Sequence, residues 1–470
     1  MKDILIIGGG PGGYVAAIRA RQLGMSVLLV EKDRAGGTCL NRGCIPTKAY
    51  YRNALFMHDL KTSRELNVEL GRVSFDMTGA WRRKNQIVDS LVGGVDKLLQ
   101  ANRVERENGA AALLDRNTVL VNGAEHKGRN ILLATGSVPA TPMIPGIELP
   151  GVVNSDQMLE LKQVPPRLAI IGGGVIGLEF ACIFNALGSR VTVFECRPEL
   201  LSGLDKELGR RLQVFLKKQG IGVHTAVAVE KIEAAGGALQ LNVAAPRGDL
   251  EVPADIVLAA GGRQAFTAGL GLEKMGIEKD QNGFIKVDQD FGTTVKGIYA
   301  VGDVIGGHML AHVASEEARA AVEKIAGLEG AVHYHAVPAC VFTIPEIASV
   351  GLSEEAARAQ GLAYRSGKFQ LAANGKALTM GAAGGMVKVL ADQDEVVIGV
   401  HIIGPHASDL IMEGTLLVQH RMKVSQVAGT IHPHPTLSEA LQEALQDVKG
   451  RSLHLAPARK QVPTRRGADE

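Results

Sequence analysis

The chain has 470 residues, of which 57 are glycine, about 12 % where roughly 7 % is usual. Its hydrophobic fraction of 46 % and charged fraction of 21 % are those of a soluble globular protein, and its glycines have no three-residue period, which excludes collagen-like, coiled-coil and disordered chains. A net charge of +2 and only 4 % aromatic residues argue against attraction of the whole protein to DNA or an anionic membrane, and against base stacking on single-stranded nucleic acid.

Nothing in the sequence predicts a secretory signal or a membrane span. The first apolar run, residues 4–7, stops at Gly8, whereas the core of a signal peptide needs about 7–15 apolar residues. No stretch has the roughly eighteen apolar residues of a spanning helix. Five cysteines are too few for a disulfide framework, so we expect a reducing, cytoplasmic location. Three cysteines stand singly among apolar residues and are predicted to be small core residues: Cys182, Cys196 and Cys340.

The first predicted unit is a strand, a glycine turn, a helix and a second strand. Residues 4–7 are apolar, a helical stretch covers residues 14–23, and the second strand, residues 27–30, ends at Glu31. The G-x-G-x-x-G positions of the turn are Gly8, Gly10 and Gly13. Such glycines let the backbone approach a pyrophosphate, the helix N-terminus stabilises its charge, and the acid accepts a hydrogen bond from a ribose hydroxyl. The motif alone also fits a flexible loop, but the complete pattern predicts a dinucleotide site.

Two cysteines, Cys39 and Cys44, lie close together in a polar, glycine-rich segment. A disulfide needs Cα atoms about 4.4–6.8 Å apart. Residues five apart on an unbroken helix are farther apart than that, so residues 41–43 are expected to bend the chain. Pro46 fits the first turn of a following helix, whose free N–H groups favour the thiolate of Cys44.

Three other interpretations of this cysteine pair are open: half of a metal site, inert core cysteines, or a structural disulfide. The sequence has no second cysteine pair with zinc-site spacing, the flanking residues are polar, and a cytoplasmic setting disfavours structural disulfides. A dithiol beside a dinucleotide unit is typical of redox chemistry. We therefore expect a redox pair and no metal.

The strand–turn–helix–strand pattern recurs about 160 residues later. Strands at residues 168–171 and 191–194 flank a helix at residues 178–187, and the turn glycines are Gly172, Gly174 and Gly177. Two complete copies predict two bound dinucleotides. The second strand ends at Glu195, whose carboxylate repels a 2′-phosphate and so favours NAD over NADP. Arg197, two residues further on, weakens that preference.

Later strands and helices indicate how the domains are arranged. Apolar strands ending in glycine recur near residues 132–136, 257–262 and 297–302, as if one dinucleotide domain were interrupted by the other. From about residue 337 strands alternate, and amphipathic helices are predicted from Ser408 and from Thr436. The predicted fold class is α/β, with two nested Rossmann-like domains and a C-terminal α+β domain. The predicted boundaries are 1–145 with 265–335, then 146–264, then 336–450, then a basic and flexible tail, 451–470.

Near the C-terminus, His434 and Glu439 are candidate acid–base residues. The ordinary pKa of histidine suits thiol–disulfide exchange near neutral pH, and Glu439 is close enough in sequence to orient the ring. Thr436 and Glu439 also form a capping-box pattern at a helix start. The two roles of Glu439 could compete, and the sequence does not choose between them.

Together these motifs resemble the flavin disulfide reductases, and most closely their dihydrolipoamide dehydrogenase branch, over nearly the whole chain. Residues 36–48 look like the redox-disulfide loop of that family, Gly302 and Asp303 like its flavin-contacting strand end, and residues 434–436 with Glu439 like its base motif. The features that look like the lipoamide branch are residues 262–267, 309–312 and 367–374, and Val175 in place of the bulky tyrosine of glutathione-type reductases. Ala265 and Phe342 depart from the usual proline and tyrosine of that branch.

The resemblance implies FAD in the first dinucleotide site and NAD in the second. The residues implied for FAD are Gly8, Gly10, Gly13, Glu31, Lys48, Thr135, Gly136, Asp303 and Ala311. Those grouped with NAD are Gly172, Gly174, Gly177, Glu179, Glu195 and Gly262; of these, Glu179 is also implied to pair with Lys48 beside the flavin ring. Cys44 would be the thiolate against the flavin and Cys39 the thiol that exchanges with substrate. His434, held by Glu439, would be the acid–base.

The activity implied by the resemblance is oxidation of protein-bound dihydrolipoamide with reduction of NAD⁺. The C-terminal domain would form a homodimer in which His434 reaches Cys39 of the partner subunit. Expected partners are lipoyl domains of a 2-oxoacid dehydrogenase or glycine cleavage complex, and neither nucleic acid nor membrane. One alternative is an NADPH-dependent reductase of glutathione or another low-molecular disulfide, which Glu195 and Val175 disfavour. Another is a flavin-bearing structural component of a complex, which the intact cysteine–histidine set disfavours.

Overall fold

The structure, a computed structural model, describes residues 1–456. The chain forms two compact units. The first comprises residues 1–202 and 213–333; the second comprises residues 203–212 and the described residues from 334 onward. Most of the predicted basic tail, from residue 457, lies outside the described residues.

The first unit is built around two mainly parallel sheets. The larger sheet has the order β3-β2-β1-β6-β5-β4, and β17 also pairs with β6. Its strands are β1 (Lys2–Ile7), β2 (Val27–Glu31), β3 (Glu105–Asn108), β4 (Ala111–Asp115), β5 (Thr118–Val121), β6 (Ala124–Leu133) and β17 (Ile298–Ala300). β1 is parallel to β2 and β6, with Ile4 opposite Val27 and Asn130. The central strands β1 and β2 are apolar runs, as expected where both faces of a parallel sheet are covered, and separate buried clusters lie on the two faces of β1.

The second sheet has the order β11-β10-β9-β15-β8 and is parallel throughout. Its strands are β8 (Val152–Val153), β9 (Arg167–Ile171), β10 (Arg190–Glu195), β11 (Gly222–Thr225) and β15 (Ile256–Ala259). Two small antiparallel sheets accompany it, formed by β12 (Ala228–Ala235), β13 (Ala238–Ala244) and β14 (Leu250–Ala254), and by β7 (Ser137–Pro139) and β16 (Arg263–Ala265).

The helices of the first unit connect these strands. They are α1 (Pro11–Gln22), α2 (Gly37–Arg42), α3 (Cys44–Lys61), α4 (Met77–Ala101), α5 (Ser155–Met158), α6 (Val175–Leu187), α8 (Leu272–Met275) and α9 (Ala311–Ile325). A further helix, α7 (Lys206–Lys218), contains residues of both units. Helices α1 and α6 each join two parallel strands, β1 to β2 and β9 to β10, which is the crossover that a parallel pair requires.

The second unit is an antiparallel sheet with short helices. The strand order is β18-β19-β22-β21-β20, with β18 (Ala339–Val341), β19 (Ile347–Gly351), β20 (Tyr364–Gln370), β21 (Met386–Asp392) and β22 (Val397–Ile403). The helices are α10 (Glu354–Ala359), α11 (Gly375–Thr379), α12 (Ala407–Gln419), α13 (Val424–Val427) and α14 (Glu439–Asp447). One buried cluster joins β20, β21 and β22 to α12 and α14.

A buried group of charges lies inside the second unit. The ammonium of Lys388 is 2.6 Å from Asp205 Oδ1 and 3.3 Å from Glu207 Oε2, and the side chains of Lys388 and Asp205 are only 1 % and 0 % exposed. His401 is fully buried nearby, with Nδ1 2.7 Å from Ser349 Oγ and Nε2 3.0 Å from the carbonyl oxygen of Leu352. Burial lowers the pKa of His401 to about 4.

The predicted α/β class with a C-terminal α+β domain is confirmed, and most predicted strands lie within two residues of their observed bounds. Two predictions are wrong in detail. The helix expected from Thr436 begins at Glu439. Cys196 is exposed, because it follows the last residue of β10, whereas Cys182 is buried in α6. Within residues 1–456, no helix combines the length and apolar character needed to cross a membrane.

Candidate active site

The first glycine loop, between β1 and α1, fits a pyrophosphate. Gly8 has φ +104°, and a Cβ there would lie 2.3 Å from the carbonyl oxygen of Ala134; a Cβ on Gly13 would lie 1.6 Å from that of Gly8. Helix α1 begins at Pro11 with no side-chain cap, so its first N–H groups remain available to an anion. The carboxylate of Glu31 braces the loop by accepting hydrogen bonds from the backbone N–H of Gly9 at 2.5 Å and from that of Asp33 at 2.8 Å.

The second glycine loop, between β9 and α6, has the same construction. Gly172 has φ +117°, and a Cβ there would lie 2.4 Å from the carbonyl oxygen of Ala260. Helix α6 also begins without a side-chain cap. Glu195 accepts hydrogen bonds from the N–H of Gly173 at 2.6 Å and of Arg197 at 2.8 Å. Both loops therefore have the geometry that dinucleotide binding requires.

The guanidinium of Arg197 bears on the choice between NAD and NADP. Its Nη1 donates a hydrogen bond to Ser202 Oγ at 2.5 Å, and the side chain is exposed. The carboxylate of Glu195 lies at the end of β10, the position at which an acidic residue opposes a 2′-phosphate in dinucleotide folds of this kind. Gly262, grouped with this site, has φ +121° and open space where its Cβ would be.

The two cysteines lie on either side of a helix break. Cys39 is in α2, Cys44 is the first residue of α3, and Gly43 separates the helices with φ −139° and ψ −108°. The hydrogen bond from the Cys39 thiol and the charge of Lys48 lower the pKa of Cys44 to about 7, against the burial that raises it. The same hydrogen bond, together with burial, raises the pKa of Cys39. The pair is therefore polarised, with the negative charge on Cys44 at a helix N-terminus.

Lys48 and Glu179 form an ion pair within the first unit. Lys48 lies one turn after Cys44 on α3, and its ammonium is 3.0 Å and 2.9 Å from the two carboxylate oxygens of Glu179 on α6. Glu179 is buried, and Lys48 is half-buried. The predicted pairing of these two residues is thus present, and it places a cation close to Cys44.

Asp303 lies in a hydrogen-bonded group at the end of β17. Ser137 Oγ donates to Asp303 Oδ2 at 2.5 Å and accepts from Arg263 Nε at 2.7 Å, which holds the carboxylate in one orientation. The N–H of Gly302 donates to the buried carboxylate of Glu317 at 2.7 Å. These supporting residues, Ser137, Arg263 and Glu317, were missed from the sequence because their partners lie 15 to 166 residues away.

Three further residues predicted near FAD are also in the first unit. Thr135 Oγ1 donates to the carbonyl oxygen of Phe266 at 2.7 Å, and Gly136 has φ +70° with open space where its Cβ would be. Ala311 is the first residue of α9, which also begins without a side-chain cap. Its N-terminus therefore offers free N–H donors, as α1 and α6 do.

The second unit carries His434 and Glu439. His434 Nδ1 is 2.8 Å from Glu439 Oε1, and the imidazole is 77 % exposed. Glu439 Oε2 accepts from the backbone N–H of Thr436 at 2.8 Å. One carboxylate oxygen of Glu439 thus faces His434 and the other faces the backbone N–H of Thr436, but the predicted capping box is not formed, because the N-cap of α14 is Ser438. Burial acts to raise the pKa of Glu439, but the hydrogen bonds from Thr436 and His434 prevail and lower it.

The neighbouring His432 has hydrogen-bond partners at both ring nitrogens. Its side chain is only 5 % exposed, with Nδ1 3.0 Å from the carbonyl oxygen of Thr430 and Nε2 3.0 Å from Glu413 Oε1. Among residues 1–456, the hydrogen bond of the His434 ring is the one from Nδ1 to Glu439, and the ring is largely exposed. Those same residues contain no group of three or more side chains that could hold a metal ion.

Known proteins share both the sequence and the fold. The family model for pyridine nucleotide-disulphide oxidoreductases matches residues 2–318, and that for the dimerisation domain of the same family matches residues 337–445. Dihydrolipoamide dehydrogenase of Chaetomium thermophilum is 42 % identical over 466 residues, which cover 96 % of this chain and 92 % of that protein. Dihydrolipoyl dehydrogenase of Geobacillus stearothermophilus is 40 % identical over 464 residues, covering 96 % and 97 %.

One solved structure is similar to this chain over almost the whole length of both. The HOCl-induced flavoprotein disulfide reductase RclA from Escherichia coli superposes with a TM-score of 0.85 at 30 % identity, covering 94 % of this chain and 99 % of that one. Leghemoglobin reductase of Vigna unguiculata is 40 % identical over 455 residues, covering 94 % of this chain and 87 % of that protein. By the match of both family models and by these relatives, the chain belongs to the pyridine nucleotide-disulphide oxidoreductase family.

Proposed function

We propose that this protein is an NAD-linked dihydrolipoyl dehydrogenase, which oxidises protein-bound dihydrolipoamide to lipoamide by means of a redox disulfide between Cys39 and Cys44. The observation that carries the proposal is the polarised cysteine pair, in which the pKa of Cys44 is lowered to about 7 and that of Cys39 is raised. Relatives named dihydrolipoamide or dihydrolipoyl dehydrogenase, similar over nearly the whole chain, support the choice of substrate.

We assign FAD to residues 1–145 with 265–335, and NAD to residues 146–264. The return of β17 to the larger sheet, after the second sheet is complete, supports this nesting. Two uncapped helix N-termini and their glycine loops fit two pyrophosphates. Residues 336–450 would form the dimerisation domain, in agreement with the family model that matches residues 337–445.

The cysteines and the histidine perform the dithiol exchange. His434 takes a proton from a dihydrolipoyl thiol, and the resulting thiolate attacks Sγ of Cys39. The Cys39–Cys44 bond breaks, and Cys44 leaves as a thiolate, which its low pKa favours. The second dihydrolipoyl sulfur then attacks the lipoyl sulfur of the mixed disulfide, and its thiol proton passes to Cys39 as that sulfur leaves. The products are lipoyl disulfide, the Cys39 thiol and the Cys44 thiolate, and the first proton stays on His434 until it is released to solvent. Glu439 orients the imidazole and stabilises its charged form.

The cofactors complete the electron balance. When bound, FAD would accept the electron pair from the reduced cysteines and NAD⁺ would receive it as a hydride. The chain contributes binding and charge: the Lys48–Glu179 ion pair beside Cys44, and the fixed carboxylate of Asp303 with Ser137. Glu195 selects NAD.

The homodimer and its partners follow from the dimerisation domain. We place His434 of one protomer next to Cys39 of the partner subunit, because the imidazole is exposed on the unit that carries that domain. Lipoyl domains of a 2-oxoacid dehydrogenase or glycine cleavage complex would deliver the dithiol. The cytoplasm is the proposed compartment, because a cysteine pair that cycles between thiol and disulfide is suited to reducing surroundings.

The test is a comparison of two substrate pairs on one preparation. We expect turnover with dihydrolipoamide and NAD⁺ to exceed turnover with glutathione disulfide and NADPH by at least about 10²-fold, since the carboxylate of Glu195 opposes the 2′-phosphate of NADPH. A Cys39→Ser variant is the control, because it removes the attacked sulfur and should abolish both reactions. Faster turnover of glutathione disulfide would overturn the proposal.

A further inference from the structure

The helix that carries Cys39 is tied to the first dinucleotide loop. Helix α2 begins at a glycine turn, in which Gly36 has φ +88° and Gly37, the first residue of the helix, has φ +54°. The turn touches the loop directly: the N–H of Gly36 donates to the carbonyl oxygen of Gly9 at 2.8 Å, and a Cβ on Gly37 would lie 2.6 Å from Gly10 Cα. Only glycine can occupy such a contact, so the positions of turn and loop depend on each other.

Asn41 closes this turn. Its Nδ2 donates to the carbonyl oxygens of Ala35 at 3.0 Å and of Gly37 at 2.9 Å, one on each side of the turn. Because both partners are acceptors, the orientation of the amide is determined: the nitrogen must face them. A neighbouring ion pair between Arg42 and Asp33 joins the end of α2 to the loop after β2.

The carbonyl oxygen of the same amide lowers the stability of the folded chain, so stability alone does not explain an asparagine at position 41. Oδ1 is buried and has no hydrogen-bond partner among residues 1–456. A buried acceptor without a donor is unfavourable, and such groups call for an explanation other than stability. The two donors of Asn41 hold the chain between the dinucleotide loop and Cys39, and that is the explanation we favour.

We propose that Asn41 is a positioning residue that fixes the Cys39 helix against the first dinucleotide loop and so couples dinucleotide binding to the reactivity of Cys44. The route is short and contiguous: Glu31 holds Gly9, Gly9 holds Gly36, and Asn41 holds the turn from which Cys39 reaches Cys44. The identity of the dinucleotide as FAD rests on the proposed function; the coupling itself does not require dihydrolipoamide as substrate.

The experiment measures both ends of this route in Asn41→Ala and Asn41→Asp. Asp is nearly isosteric, but it cannot donate and sets a charged oxygen against the two carbonyls, so its effects should be in the same direction as those of Ala and at least as large. On the reduced holoprotein and the flavin-stripped protein, the rate of Cys44 alkylation by iodoacetamide is followed against pH by mass spectrometry. FAD affinity is measured by quenching of flavin fluorescence. We expect about tenfold weaker FAD binding, as for loss of about one net hydrogen bond, and slower alkylation at pH 7.

Asn117→Ala is the matched control. Its amide also donates to two carbonyl oxygens, those of Gly128 and Arg129, but it lies in the turn between β4 and β5. This variant should leave both measurements unchanged. If Asn41→Ala fails to fold, Asn41→Ser, which keeps one donor, should give smaller changes in the same directions.

Several outcomes would overturn the proposal. One is an Asn41 variant whose FAD affinity and Cys44 alkylation rate are those of the wild-type protein, while its thermal stability falls equally with and without FAD. That result would show that Asn41 has only a structural role. Another is a change in Cys44 alkylation without a change in FAD affinity, or the reverse, since coupling requires both. Failure of the wild-type protein to oxidise dihydrolipoamide would contradict the proposed function but leave these outcomes interpretable.

Discussion

Replacing Lys388 by methionine should destabilise the second unit severely. The substitution leaves the carboxylate of Asp205, 0 % exposed, without the ammonium 2.6 Å away. Removing one partner of a buried ion pair costs about 3–5 kcal/mol, because the remaining charge stays buried. For a unit of about 150 residues, each kcal/mol lowers Tm by roughly 4 °C, so the calorimetric transition of this unit should fall by about 12–20 °C.

Two further variants decide whether this reasoning is correct. Lys286, paired with Glu278 at 3.0 Å on the surface, is the matched control, and Lys286→Met should cost no more than about 1 kcal/mol. The double variant Asp205→Asn with Lys388→Met removes both charges and should recover about 2 kcal/mol or more of the loss. Refutation would be a loss below about 1 kcal/mol for Lys388→Met, or a double variant no better than the single one.

Three other predictions concern the site and its pH dependence. His434→Gln should slow dithiol oxidation by about 10²–10⁴-fold in a stopped-flow assay, as for loss of a general base, while FAD stays bound; unchanged turnover would make His434 a turn residue only. Cys44→Ser should abolish fast iodoacetamide labelling near pH 7 of the peptide that carries the cysteine pair, measured by mass spectrometry, and undiminished labelling of that peptide would assign the thiolate to Cys39. Burial lowers the pKa of His401 to about 4 in the folded state, so between pH 6.5 and 4 only the unfolded chain binds a proton at this residue. The free energy of unfolding should therefore fall by up to about 3 kcal/mol as the pH drops through this range. Urea titrations at several pH values should show this fall in the wild-type protein and a smaller one in His401→Gln.

The dinucleotide loops could be predicted from the sequence because everything that defines them is local. Residues 2–31 form one strand–turn–helix–strand segment, and Gly8 at its turn has a positive φ that favours glycine. The pair of Cys39 and Cys44 is local too, and the predicted bend occurs at Gly43. What remained hidden was that Cys39 lies on a short helix, because the glycine-rich, polar composition of the segment indicated a loop.

Contacts between distant parts of the chain could not be predicted. Lys388 and Asp205 are 183 residues apart, and each is an ordinary surface-type residue in the sequence. Ser137 and Arg263 acquire their roles only when β7 and β16 pair. Cys196 was wrongly predicted to be a core residue: it directly follows Glu195, where the strand ends as predicted, and it is exposed. The start of α14 shifted from Thr436 to Glu439, because the threonine hydroxyl bonds to Pro433 instead of capping the helix.

The bracing carboxylates of the two glycine loops have a consequence for how cofactor preference can evolve. Glu195 accepts hydrogen bonds from two backbone N–H groups, one with each oxygen, so the residue that we propose contacts the ribose also holds the shape of the loop. A neutral glutamine at position 195 would remove the charge but turn an NH₂ group towards one of those N–H donors. Acquiring NADP use therefore demands a second change that rebuilds the loop. Preference for NAD therefore depends on the hydrogen bonds that shape the loop as well as on the charge of Glu195.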